Sequence, residues 1–161
     1  MARLGAAELP EAAAEVIARH QAAFPVKVGS IASDLGIKVL VSDLPLAVSG
    51  KLSKNAQTGE WEIRVNRHEH KNRQRFTIAH EIAHYLLHRS EIGNELVDDT
   101  FYRSGLSERR ETEANKLAAE ILMPWPLIRN LMQAGHTQST DLADKLGVSE
   151  AAMHIRLGLP T

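Results

Sequence analysis

Apolar and polar positions along the chain follow two periods. In Glu11 to Ala23, Ala13, Val16 and Ile17 fall on one side with His20 beside them, and Pro10 stands where a first helical turn tolerates it, so this stretch reads as a helix. Val28 to Leu35 reads as a second short helix, closed by Gly36. Ile37-Lys38-Val39-Leu40-Val41 then has the β-branched content of a strand. Val48 to Lys54 and Glu60 to Asn66 read as a hairpin joined by Asn55-Ala56-Gln57-Thr58-Gly59. In its second arm Trp61, Ile63 and Val65 alternate with Glu62 and Arg64. These segments predict a small antiparallel sheet of about three strands.

The helical period returns after residue 70. Ala79, Ile82, Ala83 and Leu86 form an apolar stripe on a helix that begins near Lys71. Ser90 to Gly105 has mixed polarity without a clear period and is assigned to loop or short irregular helix. Ser107 caps a second long helix, Glu108 to Leu122, with Ala114, Leu117, Ala118, Ile121 and Leu122 on its apolar face. Met123-Pro124-Trp125-Pro126 ends it. One more helix is expected over Pro126 to Ala134 and two over Thr140 to Leu159. The order of strands before helices makes the chain α+β.

The last two helices, with Gly147 between them and Ser149 capping the second, have the layout of a helix-turn-helix. Their charge argues against DNA. Asp141, Asp144 and Glu150 face only Lys145 and Arg156, fewer cations than a phosphate-tracking reader carries. Direct DNA binding is therefore not expected, and packing or partner docking is. At 161 residues the chain is long enough for a proper core, and the reading divides it into a main domain, 1–134, and a helical appendage, 135–161, packed on it.

Composition narrows the chemistry. Hydrophobic residues make up 43% and charged residues 24%, which suits a globular domain and not a disordered one. Nineteen basic and twenty acidic residues leave a formal net charge of -1, so there is no bulk attraction to nucleic acid or anionic lipid. No run of residues reaches the roughly 18 apolar positions of a membrane span. The N-terminal stretch is too interrupted by Glu8, Pro10, Glu11 and Glu15 for a signal peptide, and a cytoplasmic location is expected. Without cysteine, any metal ligands must come from His, Asp or Glu.

One stretch supplies such ligands. Arg75-Phe76-Thr77-Ile78-Ala79-His80-Glu81-Ile82-Ala83-His84-Tyr85-Leu86-Leu87-His88 contains His-Glu-x-x-His in phase with the apolar stripe. At about 100° per residue His80 and His84 lie roughly 40° apart on one strip, so one cation can meet both imidazoles, with Glu81 on the neighbouring strip near His84. That arrangement suits metal-assisted hydrolysis of a peptide bond, with Glu81 as the acid/base. The histidines flank the stripe and are expected at the edge of the core.

A third ligand is needed, and His88, Glu91, Asp98, Asp99, Glu111, Glu113 and Glu120 are candidates. His88 continues the i+4 series but drifts a further 40° or so, and reads equally well as a helix C-terminal residue favoured by the dipole. On the second long helix Glu111 lies about 55° and Glu113 about 105° from the apolar centre. Burial favours the first and a cleft-edge position the second, so phase leaves the choice open. Tyr102, His136 and His154 are candidates for a second oxyanion donor.

The same stretch, followed by Glu111-Thr112-Glu113-Ala114-Asn115 and Leu117-Ala118-Ala119-Glu120-Ile121-Leu122-Met123-Pro124, resembles the ImmA/IrrE family of bacterial zinc metallopeptidases. The resemblance implies a zincin-like helical core beneath the small sheet and a zinc endopeptidase of gluzincin type. It assigns His80, His84 and Glu113 to Zn²⁺, and Glu81 to catalysis. Asn115 and Glu120 match its motif without a role that spacing assigns. It further implies a protein substrate, a helix-turn-helix repressor encoded nearby, whose cleavage switches on prophage, mobile-element or stress genes. A regulatory module that docks on a repressor or DNA without proteolysis is the alternative.

Overall fold

The computed structural model describes residues 1–99 and 105–160. An N-terminal hairpin, β1 (Ala2–Leu4) and β2 (Ala7–Leu9), precedes α1 (Glu11–His20) and α2 (Val28–Asp34). Then come β3 (Ile37–Ser42), β4 (Val48–Lys54), β5 (Trp61–Asn66) and the long helix α3 (Lys71–His88). A 3₁₀ turn at Arg89–Glu91 leads to β6 (Glu95–Asp99), and four helices follow: α4 (Glu108–Leu122), α5 (Trp125–Gln133), α6 (Ser139–Leu146) and α7 (Glu150–Leu157).

The α+β class holds, but the main sheet departs from the three antiparallel strands expected. It has four strands in the order β3-β5-β4-β6 and is mixed. β4 pairs antiparallel with β5 and β6, whereas β3 runs parallel to β5, from Ile37 opposite Trp61 to Ser42 opposite Asn66. The link between β3 and β4 must therefore cross the end of β5. Buried Asn66 fastens that crossing, its Nδ2 bonding the carbonyls of Leu44 (3.2 Å), Pro45 (3.0 Å) and Val48 (2.9 Å). Such a bond set satisfies backbone groups that a buried crossing would otherwise orphan.

The fourth strand comes from the stretch assigned to loop. Leu96 and Asp98 turn inward and Val97 is exposed, so β6 does alternate, but an acid on its inner face disguises the pattern. The N-terminal hairpin was also not anticipated. Tyr102 lies outside the described residues, as does the side chain of Asp99.

α3 crosses the inner face of the sheet and packs on α4. Ala79, Ile82 and Ala83 meet Ala114, Leu117, Ala118 and Ile121 in one core with Leu52, Ile63 and Val65 of the sheet. The small residues let these elements approach closely. At Gly50, an added Cβ would lie 2.5 Å from Thr77 Cγ2 and 2.9 Å from the Arg64 carbonyl oxygen, so β4 can pass under α3 only without a side chain there.

Before α3, His68 lies 2.6 Å from Asp43. Arg75 donates to the carbonyls of Gly147 (3.0 Å) and Leu146 (3.3 Å), where α6 ends. A guanidinium suits that negative helix end. Gly147, at φ +65°, ends α6 in the left-handed conformation. α6, α7 and the turn between them place Leu142, Leu146, Val148 and Met153 in the same core as α3.

Candidate metal centre

α3 is capped at its start by the His70 ring, whose Nδ1 accepts from the Asn72 N–H at 3.1 Å. The helix then runs unbroken for 18 residues, which puts His80, His84 and His88 on successive turns. α4, capped by Ser107, lies against that strip and brings two acids to it. β6 adds a third from the sheet.

His80, His84, Asp98 and Glu111 converge, each offering a donor atom within 4.8 Å of the others. Glu111 Oε2 is 2.8 Å from His84 Nε2, and Glu111 Oε1 is 3.4 Å from His80 Nε2. Asp98 Oδ2 is 3.5 Å from His80 Nε2, and the two Nε2 atoms are 3.0 Å apart. Two imidazoles and two carboxylates this close make a nitrogen and oxygen donor set that could hold a metal ion.

Glu113 is not in this group. Its Oε1 lies 2.9 Å from His88 Nε2 and 3.0 Å from Arg110 Nη1, and Arg110 also reaches Glu91 at 3.2 Å. The structure therefore places Glu111, and not the Glu113 that the resemblance favoured, beside the two histidines. Residues two apart on a helix differ by about 200°, so the two carboxylates leave α4 in different directions and reach different turns of α3. His84 is also deeper than the core edge expected of it, at 0% exposure, and His88 is 1% exposed on the same strip.

The local electrostatics follow from burial and proximity. Burial opposes a charged His80, but the Asp98 and Glu111 carboxylates prevail and raise its pKa to about 9. His84 is lowered, by burial first and then by the neighbouring histidines, against the pull of Glu111. Burial raises Asp98, and the nearby His80 only partly offsets it. For Glu111 burial also acts upward, yet His80 and His84 together hold its carboxyl far below the usual carboxylate range. His88 and Arg110 lower Glu113.

Glu81 is fully buried, and neither carboxylate oxygen has a hydrogen-bond partner among the described residues. Asp98 Oδ2 is likewise without one. Buried polar atoms are normally satisfied, so unmatched acceptors gathered around a His and carboxylate cluster fit a bound cation with its own polar ligands.

Beside the cluster runs a cleft of about 1360 Å³, with His80, Asp98 and Glu111 in its wall and Phe76, Arg73 and Arg156 farther along it. The wall also includes Asn115 and Glu120. Glu120 holds Arg156 at 3.1 Å, which gives it a structural role. His136 is bound to Asp141 and His154 to Ser139 and the Pro160 carbonyl, so both are committed to the C-terminal helices.

Residues 32–158 match the family described as the IrrE N-terminal-like domain (Peptidase_M78). Over 71 residues the chain is 37% identical to the radiation response metalloprotease IrrE of Deinococcus radiodurans, a stretch that covers 44% of this chain and 22% of that protein. Among solved structures it is similar to a Mycobacterium tuberculosis transcriptional regulator, with a TM-score of 0.61 and 18% identity over 92% of this chain and 46% of that one. At that identity the likeness concerns the fold alone. The chain thus spans less than half the length of either relative.

Proposed function

Because the chain belongs to the IrrE N-terminal-like family, we propose that it is a metal-dependent endopeptidase in which His80, His84 and Glu111 hold a zinc ion and Glu81 is the general base. The observation that carries this reading is the meeting of two imidazoles from adjacent turns of α3 with a carboxylate from α4, beside a buried and unpartnered Glu81. A bound zinc would supply Lewis acidity, polarising a scissile carbonyl and making a water acidic enough to attack at neutral pH. Glu81 would take the proton of that water and return it to the leaving amine. The cleft, whose wall includes Phe76 and Arg73, would receive the peptide, and the burial of His84 would keep bulk water from the rear of the site. In this reading residues 1–134 hold the machinery and 135–161 pack against it.

The substrate we propose is a helix-turn-helix repressor, in keeping with the resemblance already set out, with derepression of prophage, mobile-element or stress genes as the outcome. Incubating the protein with a helix-turn-helix repressor from the same genome, with zinc or chelator, tests this. Cleavage should require zinc, and Glu81→Gln should lose it by about 10²- to 10⁴-fold while keeping the metal. Cleavage retained by Glu81→Gln would falsify the assignment of the base.

One observation favours a second reading. Asp98 gives the cluster a fourth protein donor, and four such donors can close a zinc site that hydrolysis needs open. The protein would then be a metal-containing module that docks on a repressor without cutting it. Under that reading zinc binds, the repressor binds intact, and Asp98→Ala weakens zinc affinity. Under the peptidase reading Asp98→Ala leaves zinc in place.

A further inference from the structure

Two residues outside the proposed ligand set are joined to it in a line. His84 directs Nε2 toward Glu111 at 2.8 Å, so its other ring nitrogen is the one left for orientation. That Nδ1 lies 2.9 Å from His88 Nδ1, and His88 Nε2 lies 2.9 Å from Glu113 Oε1. His84 is 0% and His88 1% exposed, so solvent offers neither ring a substitute partner. Arg110, 3.0 Å from the same Glu113 oxygen, fixes the far end.

Only one arrangement of protons satisfies every link when His84 Nε2 holds a cation. A ligating Nε2 carries no hydrogen, so a neutral His84 bears its proton on Nδ1 and donates it to His88 Nδ1. His88 then accepts on Nδ1, carries its own proton on Nε2 and donates to the Glu113 carboxylate. Each nitrogen between cation and carboxylate has one role, and the pattern cannot reverse without placing a hydrogen on the ligating atom.

We propose that His88 and Glu113 are positioning residues, a two-member relay that fixes the tautomer and ring orientation of His84 and so raises its affinity for the metal. This rests on the proposed metal centre. It also gives the third histidine of the helix and the second acid of α4 a function that neither has as a ligand. Partners behind a ligating imidazole are commonly worth 10- to 100-fold in metal affinity.

The test uses the full chain and zinc itself. Zinc affinity is measured by competition with a chromophoric chelator, and histidine tautomers by long-range ¹H–¹⁵N correlation on the zinc-loaded protein. His88→Phe, which keeps the bulk of the ring, should weaken zinc by about 10- to 100-fold. His88→Gln, whose amide can accept from His84 and donate to Glu113, should recover most of the loss. Glu113→Ala should cost less, about 10-fold. In the wild type His84 should be protonated at Nδ1 and His88 at Nε2.

A proton on His88 Nδ1 in the loaded protein overturns the relay, as does His88→Phe binding zinc as tightly as the wild type. If His88→Phe does not fold, the wild-type tautomers and the Glu113→Ala affinity still decide. Failure of the wild type to bind zinc overturns the metal centre beneath the relay, a separate result from wild-type binding with insensitive variants.

Discussion

Glu111 Oε2 lies 2.8 Å from His84 Nε2, whereas Glu113, two residues later on the same helix, meets His88 and Arg110. The two acids therefore serve different atoms of one histidine line. Glu111→Ala should abolish tight zinc binding, a loss beyond the roughly 100-fold expected of any residue that acts through another. Glu113→Ala should bind zinc more weakly but measurably. Titration of both variants against a chelator series ranks them, and a reversed order would return Glu113 to the ligand set.

The proton on His80 gives a pH dependence with opposite signs in the two forms. In the metal-free protein its pKa rises from 6.5 to about 9, so its contribution to stability is fully present below 6.5 and lost as pH climbs through about 9. A cation competes with that proton. The gap in melting temperature between zinc-loaded and chelated protein should therefore widen from pH 6.5 to 9. Glu111 is lowered, so its contribution disappears as pH falls well below 4.5, where metal should also be released.

Gly50→Ala tests the close passage of strand and helix. Its new methyl would meet Thr77 Cγ2 at 2.5 Å and a backbone oxygen at 2.9 Å, neither a flexible side-chain tip. Overpacking of this kind should destabilise the fold by about 1–3 kcal/mol, read as a lower urea midpoint at unchanged m. A wild-type midpoint would mean that β4 can move away from α3.

Arg75→Ala should act locally. It removes the donors on the Leu146 and Gly147 carbonyls, a loss of about 1–3 kcal/mol for charge-assisted bonds. Amides of α6 and α7 should exchange faster while those of the α3–α4 core keep their protection. Uniform acceleration would show that the C-terminal helices are not held separately by this contact.

Where the sequence carried a long single period, its reading matched the structure closely. Glu108–Leu122 has the bounds that capping and proline predicted, and the alternating arm read over Glu60 to Asn66 is the strand Trp61–Asn66. What escaped lay where polarity and burial disagree. β6 turns an acid inward, and Asn66 is a buried polar residue whose value is its three carbonyl contacts across a chain crossing. Parallel pairing of β3 with β5 is equally invisible to local pattern, since neighbours along the chain suggest only a hairpin. At the site, helix phase brought the histidines together correctly but could not choose between Glu111 and Glu113. That choice depends on how α4 is rotated against α3, which is a property of the packed pair.

The family match opens at residue 32, yet Leu9, Ile17, Val26, Val28 and Ile31 are all in the common core, and Gln21 Nε2 bonds the carbonyls of Glu120 (2.9 Å) and Ile121 (3.1 Å) at the end of α4. A protein trimmed to the matched stretch would expose the flank of the helix that bears Glu111 and unfasten its last turn. The unit that inherits the motif is thus smaller than the unit able to hold it in register.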